Sequence, residues 1–194
     1  FEISAGEIMG NAYDRLVRYD VADPAKLLPD VAKSWTVSAD GKTITFEIKD
    51  GLKFASGNPL TAEDVAFSLQ RAVILGKTPA FILTQFGLNK ANVAEKVRAA
   101  GKTVVFEIDK SYAPTLVLNC LTANVASIVD KKLPMSKEQN GDMGYAWLKT
   151  NYAGSGPMKI REWRANEIVT LEKNDNYWGS KSKVNRVIYR HVKE

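Results

Sequence analysis

The 194-residue sequence has a single cysteine, Cys120, and a single histidine, His191. One cysteine excludes an intrachain disulfide, so a large core and not a covalent staple must hold the fold. It leaves the redox compartment open. With His191 standing alone near the end of the chain, a catalytic triad or imidazole base has only that position to use. A histidine on a strand end is the plainer reading. One cysteine and one histidine form no zinc cluster. Cys120 lies in the apolar run Leu118-Asn119-Cys120-Leu121 and reads as a small core residue, not a nucleophile. No apolar run approaches the roughly 20 residues of a membrane helix. A basic-then-apolar leader is also missing. Because the sequence starts at Phe1 and stops soon after the strand-like run Arg186-Val187-Ile188-Tyr189, we expect a piece of something longer. The missing leader therefore leaves export open.

Charge is plentiful but unsegregated. There are 27 basic and 22 acidic residues, a net charge of +5. A basic balance can signal nucleic acid or anionic membrane. Here the cations stand beside acids, as in Glu47-Ile48-Lys49-Asp50 and Glu172-Lys173-Asn174-Asp175, which describes a solvated surface. The aromatic residues form no stacking platform for bases. Hydrophobic residues at 45% and charged residues at 25% suit an ordinary globular core.

Gly-Lys-Thr occurs at 41–43, 76–78 and 101–103, which invites a phosphate-loop reading. That loop needs G-x-x-x-x-G-K-[ST] so that backbone N–H groups can wrap the phosphates. The positions reserved for its first glycine hold Thr36, Arg71 and Lys96. The reading fails.

Ile8, Ala12, Leu16 and Val17 recur at helical spacing and predict a helix from about Glu7 to Val17. A proline-containing link follows at 23–30. Strands are expected over Ser34–Ser38 and Lys42–Lys49, joined through Ala39-Asp40-Gly41, with Ile44, Phe46 and Ile48 on the buried face. Thr61 should cap a helix whose first turn carries Glu63 and Asp64, whose buried stripe is Val65, Leu69 and Ala72 or Val73, and which Gly76 ends. A second hairpin, Val93–Ala99 with Thr103–Ile108, echoes the first at an offset of 60 residues. Pro114 opens a short helix over Ala113–Leu121. Lys131–Gly144 reads as a polar loop, Tyr145–Asn151 as a helical end, and 157–163, 168–172 and 185–189 as strands. This order predicts a mixed α/β fold.

Several of these segments, in order, resemble the bacterial extracellular solute-binding proteins of the peptide/nickel class (family 5). They are Asn11–Val17, the long stretch Leu28–Leu69, Gly154-Ser155-Gly156-Pro157 with Trp163, and Asn174-Asp175-Asn176-Tyr177-Trp178-Gly179. The resemblance implies a periplasmic-binding-protein-like lobe with mixed sheets and an extra hairpin-containing subdomain, the second lobe being absent. Residues 1–26 and 151–194 would belong to the ligand-facing sheet, and 27–150 to the extra α/β subdomain. It also implies a periplasmic or surface-tethered lipoprotein that closes on its ligand like a hinged clamp. Such a protein delivers a peptide or similar small solute to an ABC permease. It needs no metal, cofactor or nucleic acid, and it is not an enzyme. Positions that match cleft-facing parts of relatives are Phe81, Gln85 and Phe86, next to Ala80, and Ser155 and Gly156. Core packing is the competing role for Phe81 and Phe86. A nickel chelate, an opine or a sugar is the alternative ligand. A sensing domain of a regulator is the alternative use of the fold.

Overall fold

The computed structural model describes residues 3–192. Helix α1 (Ile3–Ala12) leads into strand β1 (Val17–Tyr19), which pairs antiparallel with β2 (Leu27–Pro29). The helix expected over Glu7–Val17 therefore starts earlier and stops sooner. Leu16 and Val17 are buried, as their spacing suggested, but from an extended segment. Tertiary hydrogen bonds explain the difference. The Arg15 N–H donates to the Asp30 carboxylate at 2.9 Å, and the Leu16 carbonyl accepts from Asp30 and Ala32. Those bonds take the groups that a further helical turn would need.

Strands β3 (Ala32–Val37) and β4 (Thr43–Ile48) form the first expected hairpin. Gly41 takes φ +68°, the conformation that the Asp-Gly turn requires. Ile44, Phe46 and Ile48 are buried. Helix α2 (Ala62–Leu75) begins at Thr61, and Asp64 accepts from both Thr61 N and Thr61 Oγ1 at 2.9 Å. The helix ends at Gly76, whose N–H reaches the Ala72 carbonyl. Short helices α3 (Phe81–Thr84) and α4 (Val93–Lys96) follow. Where a strand was expected from Val93, the Asn89 side chain instead accepts from Ala91 N and Asn92 N and turns the backbone into α4. Strands β5 (Val97–Ala100) and β6 (Thr103–Glu107) complete the second hairpin.

Both hairpins share one antiparallel sheet of order β3-β4-β6-β5. Ile44 pairs with Phe106 and Phe46 with Val104, so the two echoing sequences face each other across the middle of the sheet. Helix α2 lies against β5 and β6. Between them sits the main core, which includes Phe46, Phe54, Leu69, Leu83, Phe86 and Phe106, all essentially inaccessible.

Helix α5 (Pro114–Cys120) forms with proline in its first turn. The segment read as a loop from Lys131 to Gly144 instead contains α6 (Lys132–Ser136), and α7 (Tyr145–Leu148) comes straight after it. Asp130 accepts from Lys132 N, and Asp142 accepts from the backbones of Gln139, Gly144 and Ala146. Two acids thus order a polar stretch that has little apolar periodicity. Strands β7 (Met158–Arg164), β8 (Ile168–Lys173) and β9 (Arg186–Arg190) build a separate antiparallel sheet. Helix α1 packs on it through Ile8, against Met158 and Leu171. The four-stranded sheet lies wholly within 27–150, the three-stranded sheet within 151–194, and β1–β2 bridges the 26/27 boundary.

Candidate ligand-facing site

Asp14 ties the end of α1 to the segments that flank the three-stranded sheet. Its carboxylate, 4% exposed, accepts from Ser155 Oγ at 2.8 Å and from Trp178 Nε1 at 2.8 Å. Burial pushes its pKa up to about 7, the neighbouring Asp30 adds to that, and the two hydrogen bonds oppose it. Burial likewise raises Asp30. The Lys49 ammonium lies 4.4 Å from the centre of the Trp178 ring. Gly156 makes this junction close. A Cβ there would stand 2.5 Å from the Ala12 carbonyl carbon, and the Gly156 N–H donates to the Ala12 oxygen. The Asn174 side chain donates to the Gly156 carbonyl at 2.8 Å. The Gly-x-Gly-Pro and Asn-x-x-Tyr-Trp segments are therefore fastened to the end of α1 by hydrogen bonds.

Beside this junction a concavity of about 250 Å³ opens between α1, α2, α7 and β7. Met9 and Tyr13 come from α1 and its end, and Ser68, Arg71, Ala72 and Leu75 from one face of α2. Lys77 and Pro79, then Asn124, Val125 and Ser127, close two sides, while Tyr145, Leu148, Ile160 and Trp163 supply the apolar wall. Arg71 is held by a bond from Nε to the Met143 carbonyl at 2.8 Å. Burial lowers its pKa from the ordinary 12.5, and an arginine stays charged regardless. Tyr13 receives the Ala153 N–H, and burial pushes its phenol up to about 12, so it remains a neutral O–H. The arrangement can bind and orient.

The residues anticipated from sequence fall into two groups. Phe81, at 64% exposure, stands out from α3 and does not pack in the core. Gln85 is close by, its amide donating to the Ile82 carbonyl and, at 3.4 Å, to Cys120 Sγ. Phe86 is fully buried edge-to-face against Tyr112, with ring centres 5.1 Å apart. Ser155 is wholly buried and spent on Asp14, and Gly156 is spent on close packing. None of the five lines the concavity beside α1. Arg71, Ser127 and Trp163 were not anticipated as site residues. A sequence signal existed for α2: residues 68, 71, 72 and 75 share a helical face that adjoins the core stripe at Ala72. Burial raises the pKa of Cys120 and so keeps it a thiol, while the His191 N–H donates to the Glu167 carbonyl beyond the end of β9. Among the described residues no group of three potential ligands could hold a metal ion, and no helix is long and apolar enough to cross a membrane.

Residues 26–194 match the family model described as bacterial extracellular solute-binding proteins, family 5, middle. The chain is 33% identical over 187 residues to a probable D,D-dipeptide-binding periplasmic protein of Escherichia coli, covering 94% of this chain and 34% of that protein. It is 31% identical to the nickel-binding periplasmic protein of the same organism, covering 93% of this chain and 32% of the relative. A periplasmic binding protein from Helicobacter pylori, solved with the peptide STSA, superposes with a TM-score of 0.81 at 27% identity, over 99% of this chain and 39% of that one. The chain thus spans about a third of the length of the curated relatives it matches.

Proposed function

Because this chain belongs to the bacterial extracellular solute-binding proteins of family 5, we propose that it forms part of the receptor of an ABC importer, capturing a peptide or similar small solute for a membrane permease. The observation that carries this reading is the combination of family membership with a preformed, partly apolar concavity lined by a few polar groups, the usual make-up of a small-molecule site. Binding proceeds without covalent chemistry. In this reading, 1–26 and 151–194 form the ligand-facing sheet, 27–150 the extra subdomain, and a second lobe supplies the remaining contacts on closure. Exposed Phe81 and Gln85 face the cleft, while Phe86, Ser155 and Gly156 hold its walls in place. The receptor works in the periplasm or tethered to the outer cell surface.

The test is thermal denaturation of the full-length gene product and of this chain against a pooled peptide library. A ligand at about 100 times its dissociation constant adds roughly 2.7 kcal/mol to stability. A clear rise in Tm for the full-length protein, with little for this chain, is the expected result. No rise at saturating concentration overturns the peptide assignment and directs the search to nickel chelates, opines and sugars.

A further inference from the structure

The concavity between α1, α2, α7 and β7 has an unbalanced inventory of hydrogen-bonding groups. Arg71 and Lys77 line it, and no aspartate or glutamate does. The Arg71 Nη groups donate to nothing among the described residues. Asp142, the acid nearest in influence, is occupied by three backbone N–H groups at 2.9–3.0 Å. Among the described residues the Lys77 ammonium meets the Tyr145 ring, 5.5 Å from its centre, and no carboxylate. The Ser127 hydroxyl is buried, with the residue 8% exposed, and has no partner. Tyr13 accepts a hydrogen bond, but its own proton has no acceptor among the described residues. Four side chains with donors lacking acceptors among the described residues line one space, from three segments of the chain.

A buried hydroxyl left unpaired is destabilising, and an uncompensated cation in a half-enclosed site is more so. A ligand that supplies acceptors and negative charge removes both costs. Around these donors the wall is apolar and aromatic: Met9, Tyr145, Leu148, Ile160 and Trp163. At about 250 Å³ the space lies below the roughly 300–1,000 Å³ of sites for drug-sized ligands. It suits one amino-acid-sized group and not an extended peptide.

We infer that this concavity is a carboxylate subsite, in which Arg71 and Ser127 receive the carboxylate of a residue-sized group whose apolar body rests on Trp163 and Tyr145. The inference rests on the solute-capture reading and names the chemistry that its site selects. A free acylated amino acid and the C-terminus of a peptide share that chemistry. Isothermal titration of the full-length gene product and of this chain separates them, using N-acetyl-phenylalanine, the peptide Ala-Ala-Ala-Phe, and the C-terminal amide of each. At least one acid should bind tenfold or more tighter than its amide, and the arm that shows this preference identifies the source.

Arg71→Gln should erase the preference. Ser127→Ala, which removes a hydroxyl with no protein partner and so leaves folding intact, should reduce it severalfold. Acids and amides binding alike, or a preference that survives both substitutions, overturns the subsite. If the peptide pool still raises Tm in that case, solute capture stands without it. If nothing binds or shifts, both fail.

Discussion

At the scale of single residues, the buried acid at position 14 sets the behaviour in solution. In the folded chain Asp14 keeps its proton up to about pH 7, whereas its ordinary value is 3.8. The folded state therefore binds more protons than the unfolded state across that interval, and stability must fall as pH rises through it. Asp40, Glu47, Asp50 and Asp142 are shifted downward by their hydrogen bonds and ion pairs, so their contributions are lost only below about pH 4. Stability should peak near pH 4–5. Urea denaturation at pH 5 and pH 8 should differ by on the order of a few kcal/mol. Asp14→Asn keeps an acceptor for Ser155 and Trp178 without the ionisation and should flatten that slope, with Asp30 supplying what remains. A wild-type chain as stable at pH 8 as at pH 5 would contradict this account.

Among the elements, α2 serves both the main core and the concavity beside α1, and its start is fixed more firmly than an ordinary capping box would require. Asp64 accepts from Thr61 and also, across 67 residues of sequence, from the Lys131 N–H at 3.1 Å. Asp64→Ala leaves two backbone N–H groups without their partner and should cost about 2 kcal/mol by urea denaturation. A loss near zero would mean that water replaces the carboxylate. Much of the element pattern is legible from local chemistry. Alternation at Ile44, Phe46 and Ile48 and the cap at Thr61 are signals carried within a few residues. Other features are not local. The stop after Ala12 depends on Asp30, and the order in 131–144 depends on Asp130 and Asp142. For the site, the α2 face at 68, 71, 72 and 75 can be read from its spacing. The convergence of Ser127 and Trp163 upon it depends on contacts between distant segments, which no periodicity records. The echo between the hairpins reads as two similar turns, but its result is a sheet in which β4 and β6 face each other in near two-fold register.

For the whole molecule, protection should follow that register. Strands β4 and β6 are the inner pair of the larger sheet, while β9 is an edge strand with Ile188 half exposed. Amides in 43–48 and 103–107 should exchange with solvent at least about 100-fold more slowly than those in 186–190, measured by mass-resolved hydrogen exchange. Equal rates would indicate that the two sheets open as one unit. The Asp14 junction has a further consequence, for biosynthesis. Its partners stand 141 and 164 residues further along the sequence. As the polypeptide emerges in order, the carboxylate of Asp14 lacks its full set of partners until Trp178 has followed, and until then Asp14 stays hydrated and ionised. Final docking of the first helix is therefore also a proton-uptake event near neutral pH, and the acidity of the compartment where the chain folds becomes one of the reactants.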